Sequence, residues 1–323
     1  MKKNNAPSEI VESKNQLQLF GYQKYFDFFV NLFKNDKLPN TILLTGPKGS
    51  GKSTFIYHFI NYLLSKYEDK RYSVEKFVIN PLNKSYINVC NNTHPNFYLL
   101  VNNNNEENIK IENVKNILNF LSKSTFNSNI KIVMIDNAEY LNISSSNALL
   151  KALEEPPHNT FFFIIHNNAS KISDTIKSRC AEFKIFFNLS ENKKILSDII
   201  NQYKNNYQIE NLDQAFYYQG PGTILRYIAA INDIDSKHSK DRLGCISDLI
   251  DRYKKKKDPL LLNFISMQIE IFYNELSLKN AKNLNIYFYN KFKILNQIND
   301  IKKFNLDKNS FFMSLQATLK NET

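Results

Sequence analysis

The stretch TILLTGPKGSGKST, residues 41–54, joins a short apolar run to a helical pattern through a glycine-rich loop. The run TILLT (41–45) has the composition of a buried β-strand, and apolar residues recur with helical spacing from Lys52 to Lys66. Between them lies the pattern GxxxxGK[ST], which is specific when a strand precedes it and a helix follows it. The stretch therefore predicts an α/β fold with a phosphate-binding loop.

The residues of this loop are suited to bind nucleotide phosphates. Glycines let backbone N–H groups approach a phosphate, and the following helix adds the positive end of its dipole. Lys52 can reach the β- and γ-phosphates, and the Ser53 hydroxyl can join the shell of a Mg²⁺ ion. We predict that ATP or ADP binds with Mg²⁺ through Gly46, Pro47, Lys48, Gly49, Ser50, Gly51, Lys52, Ser53 and Thr54.

Residues 1–185 alternate short apolar runs with helical patterns, which is typical of a parallel sheet with crossover helices. Each run is nearly all apolar, as expected for strands that are covered on both faces. The predicted strands are 41–45, 97–101, 130–136, 160–165 and 181–187. The predicted helices are 52–66, 111–122, 144–155 and 172–178, and two prolines end the third of them.

After Phe187 the sequence shows only helical periodicity. It is interrupted at Gly220-Pro221-Gly222 and again at Lys257-Asp258-Pro259. We predict three domains: a nucleotide-binding domain at 1–187, a small helical domain at 188–240 and a second helical domain at 241–323. The charge run KKKK (254–257) is interpreted as a solvated helix end, where cations suit the helix dipole.

Composition narrows the possible function classes. No run approaches the ~20 apolar residues that span a membrane, and the N-terminus lacks the apolar core of a secretory signal, so we expect a cytoplasmic protein. Cys90, Cys180 and Cys245 are too far apart for a metal knuckle. The net charge of +11 is compatible with proximity to a DNA backbone, but a bias toward Asn, Lys and Ile weakens that argument. Direct base reading is not predicted.

Four further motifs follow one another in the nucleotide-binding domain: HPNFYLL (94–100), SSSNALLKALEEPP (144–157), HNTFFFIIHNNASKI (158–172) and TIKSRC (175–180). This ordered set closely resembles the clamp-loader AAA+ ATPases of DNA replication, and within them the delta-prime subunits of bacterial DNA polymerase III. The resemblance covers residues 20–187 and continues weakly through Gly220–Arg226. It implies an AAA+ domain, a helical lid and a helical collar, the collars of five subunits forming a ring.

The resemblance also implies roles for single residues. Asp136 stands where the family holds Mg²⁺, and Asn167 is our choice among His166, Asn167 and Asn168 for the sensor of the γ-phosphate. Asn137 stands where motor subunits carry the glutamate base, and an amide is a poor proton acceptor. Glu139 is acidic, but its side chain need not point to the same place.

Two other family features are missing or changed. The second-sensor arginine of motor subunits is absent near Gly222, and Arg226 lies one turn further on. Many relatives carry a four-cysteine zinc module after the first helix, of which only Cys90 is retained, so zinc is not expected.

Arg179 of the SRC motif has two readings. In the family this arginine reaches the ATP bound by a neighbouring subunit and stabilises the transferring phosphoryl group. Alternatively, Arg179 pairs with a carboxylate on its own surface.

These features lead to one main hypothesis and two alternatives. The main hypothesis is a stator of the clamp loader: a non-polymerising DNA polymerase III subunit that binds ATP, has little ATPase activity of its own and supplies Arg179 to a neighbour. Its implied partners are the gamma/tau motors, delta, the sliding clamp and primed DNA. The first alternative is an active gamma/tau-type ATPase, which the intact phosphate loop favours.

The second alternative is a free-standing P-loop kinase or DNA-repair ATPase, which explains neither SRC nor the helical tail. The sequence leaves open whether ATP or ADP is bound and whether this chain contacts DNA or the clamp directly. It also leaves open which collar residues contact which neighbour.

Overall fold

The computed structural model describes residues 11–102, 108–123, 125, 130–168, 171–203, 219–232, 242–304 and 308–322. Contacts group residues 9–225 into one unit and residues 226–323 into another. The predicted domain limit at 240 lies outside the described residues, so the three-domain division stays a prediction.

A five-stranded parallel sheet organises the first unit, with the order β2-β3-β4-β1-β5. Its strands are β1 (Thr41–Gly46), β2 (Phe97–Val101), β3 (Lys131–Asp136), β4 (Thr160–Asn167) and β5 (Ala181–Lys184). All five predicted strands are confirmed, but β5 ends three residues earlier than expected. It lies at the sheet edge and pairs only with β1, and because β1 turns into the glycine-rich loop after Gly46, the last bond between the two segments runs from the N–H of Ile185 to the Thr45 carbonyl oxygen.

Helices occupy both faces of the sheet and the described part of the second unit. They are α1 (Gln23–Lys34), α2 (Lys52–Leu64), α3 (Lys84–Cys90), α4 (Ile111–Ser122), α5 (Ile143–Glu154), α6 (Asp174–Lys177), α7 (Leu189–Tyr203), α8 (Pro221–Asn232), α9 (Arg242–Lys256), α10 (Pro259–Lys279), α11 (Leu284–Phe304) and α12 (Lys308–Asn321). The four predicted helices of the first unit are confirmed, with α6 shorter than expected. The sequence interpretation missed α1 and α3.

Successive residues of the strands pack into two different cores. Ile42 and Leu44 of β1 lie in a core with the aromatic residues of α1 and α2, whereas Leu43 between them lies in a core with α4 and α5. This follows from the alternation of side chains along a strand. Both sheet faces are therefore covered, which explains the continuous apolar runs.

The carboxyl ends of β1, β3 and β4 meet at one edge of the sheet. Gly46, the last residue of β1, is in register with Asn167, the last residue of β4. Asp136 ends β3, the neighbour of β4 on its other side. Ligands of open parallel sheets bind at this edge.

The second unit is helical throughout its described part. In α9, residues spaced three or four apart are buried against neighbouring helices: Cys245, Ile246, Leu249, Ile250 and Tyr253. The lysine run ends this helix at Lys256, as predicted. Asp258 caps α10 by accepting a hydrogen bond from the N–H of Leu260, and Pro259 occupies the first helical position, where its missing N–H costs nothing.

Candidate nucleotide-binding site and a surface arginine

The glycine-rich loop runs from the end of β1 to the start of α2. Gly49 has φ +76° and Gly51 has φ +96°, left-handed conformations that side chains with a Cβ rarely adopt. Gly51 directly precedes Lys52, the first residue of α2. The backbone N–H groups at a helix start have no partner within the helix, so they are suited to bind an anion such as a phosphate.

Lys52 is buried at the base of this loop. Its Nζ donates to the carbonyl oxygens of Gly46 at 2.9 Å and Pro47 at 2.7 Å. Burial lowers its pKa from 10.5 to about 8, although the negative charges of Asp136 and Glu139 oppose this shift. The ammonium group is thus held beside the loop where a phosphate would bind.

Ser53 and Asp136 form the pair that the sequence predicts for Mg²⁺. The Ser53 hydroxyl donates to Asp136 Oδ2 at 2.9 Å, and the N–H of Asn137 donates to Asp136 Oδ1 at 2.9 Å. Burial raises the pKa of the Asp136 carboxyl. A hydroxyl and a carboxylate are oxygen ligands of the kind Mg²⁺ prefers, so the residues present fit a magnesium-bound nucleotide.

Asn137 directly follows β3, and its side chain binds that of Asn167 at the end of β4. Its backbone is left-handed, with φ 59°, a conformation that asparagine tolerates better than most residues. Its Oδ1 accepts a hydrogen bond from Asn167 Nδ2 at 2.7 Å. The amide that replaces the expected glutamate is therefore bound to the residue predicted as the γ-phosphate sensor.

Glu139 also points into this site, which the sequence interpretation left open. One carboxylate oxygen accepts from Asn167 Nδ2 at 3.0 Å, and the other accepts from the Asn167 backbone N–H at 3.2 Å. A short 3-10 turn at Ala138–Tyr140 brings the side chain back toward the sheet edge. Strand alternation does not apply to such a turn, so residue spacing alone does not predict this contact.

The start of α8 packs directly on the glycine-rich loop. The N–H of Gly222 donates to the carbonyl oxygen of Gly49 at 2.8 Å, and the Thr223 hydroxyl donates to that of Lys48 at 3.1 Å. A Cβ on Gly220 would lie 2.3 Å from the carbonyl carbon of Gly49. The resemblance implies a sensor arginine near this turn in motor subunits, and in this chain backbone groups and a threonine contact the loop there. The sequence interpretation named this turn without predicting the contact.

Arg179 lies in the turn between α6 and β5. Its Nε donates to Glu154 Oε1 at 2.6 Å, its Nη2 forms an ion pair with the same oxygen, and Nη1 donates to the Thr175 carbonyl at 2.9 Å. Both side chains of the pair are partly exposed, 29% for Arg179 and 48% for Glu154. The pairing with a carboxylate on its own surface is thus present in the single chain.

Arg179 lies far from the glycine-rich loop of its own chain. Its carbonyl oxygen accepts a hydrogen bond from the hydroxyl of Thr41, the first residue of β1, at 2.7 Å. The loop begins at the other end of that strand, five residues later. At about 3.3 Å per residue the separation is about 16 Å, which exceeds the reach of an arginine side chain.

His58 and Cys90, two residue types that often bind metals, have other partners in this structure. His58 is buried between the Tyr72 hydroxyl and the Gln16 carbonyl oxygen, each 3.0 Å from a ring nitrogen. Cys90 donates from its Sγ to the Lys14 carbonyl oxygen. Among the described residues, no three His, Cys, Asp or Glu side chains cluster as metal ligands would. No described helix is long and apolar enough to cross a membrane.

A family model described as "DNA polymerase III, delta subunit" matches residues 21–187, slightly more than half of the chain. The chain belongs to this family. The match covers the sheet, the glycine-rich loop and Arg179, and it confirms the resemblance to delta-prime subunits that the motifs predict.

Individual relatives agree with this assignment. The DNA polymerase III subunit delta' of Pseudomonas aeruginosa is 30% identical over 140 residues, covering 43% of this chain and 41% of that protein. The subunit gamma of Buchnera aphidicola from Acyrthosiphon pisum is 32% identical over 181 residues, covering 49% and 48%. The chain thus spans about half the length of the curated relatives it matches.

One solved structure covers most of the chain. A DNA polymerase III gamma subunit-related protein from Thermotoga maritima aligns with 91% of this chain and 99% of its own, with a TM-score of 0.52 and 17% identity. This likeness concerns the fold alone. The α/β AAA+ fold with a helical C-terminal region is confirmed.

Proposed function

We propose that this chain is the delta-prime-type stator of a DNA polymerase III clamp loader and acts in the cytoplasm. It helps the gamma/tau motors and delta to load the sliding clamp onto primed DNA, and it completes a neighbouring ATP site with Arg179. The observation that carries the proposal is the position of Arg179, on the surface about 16 Å from its own glycine-rich loop. An arginine there can serve a nucleotide only on another subunit.

The chain's own site binds ATP or ADP with Mg²⁺ but turns ATP over poorly. Lys52, Ser53 and Asp136 are arranged to hold the phosphates and the ion, and magnesium would neutralise phosphate charge there. Asn137 contributes an amide where motor subunits have a carboxylate, and its Oδ1 is bound to Asn167. An amide does not take a proton from water at neutral pH.

The helical second unit supports assembly with other clamp-loader subunits. Ile286, Tyr289 and Phe292 of α11 are spaced three residues apart and are 57%, 67% and 68% exposed. Large apolar side chains grouped on one helix face usually mark an interaction surface. We propose that this face joins the collar. Replacing Tyr289 and Phe292 by serine should abolish assembly in size-exclusion chromatography, whereas Lys293→Ser on the same helix should not.

The decisive experiment is DNA-stimulated ATP turnover by the reconstituted clamp loader. Arg179→Ala should lower turnover by at least about 100-fold with assembly intact, because a finger supplied in trans is worth about 10³–10⁵ in rate where it has been removed. The control is Lys177→Ala, which removes a neighbouring cation that pairs with Glu182. Unchanged turnover in the Arg179→Ala complex would contradict the stator proposal.

A gamma/tau-type ATPase is the second candidate, and the intact Ser53–Asp136 pair favours it. The isolated chain would then hydrolyse ATP at a rate typical of a motor. Asn137→Glu separates the two candidates, since it restores a carboxylate at the position of the base. Under our proposal the wild type is nearly inactive, and the substitution should activate ATP turnover. Strong turnover by the wild type itself would favour the motor instead.

A further inference from the structure

We infer that Asn137 and Glu139 hold the amide of Asn167 so that this nucleotide site does not distinguish a nucleoside triphosphate from a diphosphate. The inference rests on the proposed nucleotide binding and goes beyond it, because it assigns Glu139 a positioning role and specifies the ligand. The sensor is present in this chain, but its hydrogen-bond donors are already used.

The hydrogen-bond capacity of Asn167 carries the argument. A side-chain amide has two N–H hydrogens, and those of Asn167 are donated to Asn137 Oδ1 at 2.7 Å and Glu139 Oε1 at 3.0 Å. The remaining Oδ1 is an acceptor and does not bind a phosphate oxygen. A γ-phosphate could therefore gain a bond from Asn167 only after one of these bonds is broken.

The orientation of the amide follows from the chemistry of its neighbours. A carboxylate only accepts hydrogen bonds, so Nδ2 and not Oδ1 of Asn167 must face Glu139. Glu139 also accepts the backbone N–H of Asn167 at 3.2 Å, which fixes its carboxylate on the same residue from two sides. Asn167 is only 6% exposed, so water does not readily replace either partner.

The other phosphate-binding groups are placed to hold the phosphates that the two nucleotides share. The loop backbone, Lys52 and the Ser53–Asp136 pair lie around the start of α2, where a β-phosphate, shared by ADP and ATP, would bind. With Asn167 occupied, the side chain left within reach of a third phosphate is Lys52, which also serves the β-phosphate of either nucleotide. We therefore expect similar affinity for the two nucleotides.

The test is the dissociation constant of the isolated chain for MgADP and for a magnesium-bound, non-hydrolysable ATP analogue, measured by calorimetry. The wild type should bind both within about threefold of each other. Asn137→Gly suits the left-handed backbone and releases one hydrogen of Asn167 without a change of charge, so the triphosphate should gain about tenfold over the diphosphate. Glu139→Ala should act in the same direction, and Glu155→Ala is the control.

Asn167→Ala separates this explanation from a general effect of charge. Alone it should leave the ratio of the two constants unchanged, and in the Asn137→Gly or Glu139→Ala background it should remove the gain. A wild-type preference for the triphosphate of tenfold or more, a gain that persists without Asn167, no gain in either variant, or binding of neither nucleotide would overturn the inference. Turnover with Arg179→Ala is measured separately in the complex, so failure of the stator proposal is distinguishable.

Discussion

The two ends of β1 carry two different kinds of polar site. At the carboxyl end, Lys52 and Asn167 are buried and Asp136 is partly buried. Lys52 bonds to carbonyl oxygens of the loop, and Asn137 links Asp136 to Asn167. At the amino end, Arg179 is partly exposed and bonded to a half-exposed carboxylate, Glu154. Buried polar networks are costly to disturb, whereas an exposed ion pair exchanges partners at little cost. The carboxyl end of β1 is therefore suited to bind a ligand, and the amino end is suited to contact a partner subunit.

The largest expected effect comes from a substitution that disrupts only the site at the carboxyl end of β1. Lys52→Met keeps the length of the side chain but removes a buried ammonium, so nucleotide affinity should fall by about 100-fold, the value of one or two charged hydrogen bonds. Turnover of the reconstituted clamp loader, which under our proposal depends on Arg179, should change much less. Calorimetry and a turnover assay measure the two quantities.

Lys66→Met is the matched control, because Lys66 is an exposed lysine just beyond the opposite end of α2. It should leave nucleotide affinity within about threefold of the wild type. If Lys52→Met and Arg179→Ala lowered turnover equally, the two ends would not be independent.

The next effect tests the contact of α8 with the loop. Gly220→Ala would place a Cβ 2.3 Å from the backbone of Gly49, so one of the two segments must move. We expect the free energy of unfolding to fall by about 1–3 kcal/mol, as for other overpacked positions, with weaker nucleotide binding. Chemical denaturation measures the first quantity.

Gly222→Ala provides a graded comparison for this contact. Its Cβ would lie 3.0 Å from the Gly49 carbonyl oxygen, so a smaller loss of stability is expected. Equal stabilities of both variants and the wild type would show that the contact is not maintained in solution.

Acid should lower the stability of the folded chain through His58, a buried residue of α2. Burial lowers the pKa of His58 from 6.5 to about 3, so between these values the unfolded chain binds a proton that the folded chain does not. The stability present above pH 6.5 is therefore lost as the pH falls. From pH 7 to pH 5 the loss from His58 is about 2 kcal/mol.

His58→Gln removes this titration and can keep one donor and one acceptor for the Gln16 carbonyl and the Tyr72 hydroxyl. Its free energy of unfolding should change by about 2 kcal/mol less than that of the wild type over the same pH range. Parallel pH curves for the two proteins would contradict the assignment.

The smallest effect concerns the amino end. Glu154→Gln removes the charge that pairs with Arg179, and because the pair is partly exposed the free energy of unfolding should change by less than about 1 kcal/mol. Because Arg179 then no longer has to break its ion pair with Glu154 before it contacts the neighbouring subunit, affinity for that subunit should rise by up to about fivefold. Glu155→Gln is the control, and a loss of affinity in Glu154→Gln would show that the pair orients Arg179 instead.

Much of the molecule follows from local sequence. Strands β1, β3 and β4 are predictable because each is a short apolar run with both faces buried, and the glycine-rich loop because left-handed backbone requires glycine at Gly49 and Gly51. The SRC motif singles out Arg179 through the resemblance, and the match to the family model confirms that the chain belongs to the family. Each of these signals is contained in a few consecutive residues of the chain.

The site itself was decided by tertiary structure. Contacts of Glu139 with Asn167, and of Gly222 with Gly49, join residues 28 and 173 positions apart, and no local pattern encodes them. They form because the sheet order brings the ends of β3 and β4 together and because α8 begins against the loop. The pairing of Arg179 with Glu154 likewise depends on the packing of α5 beside α6. The sequence alone determines which chemical groups are available, and the packing of strands and helices determines which of them meet.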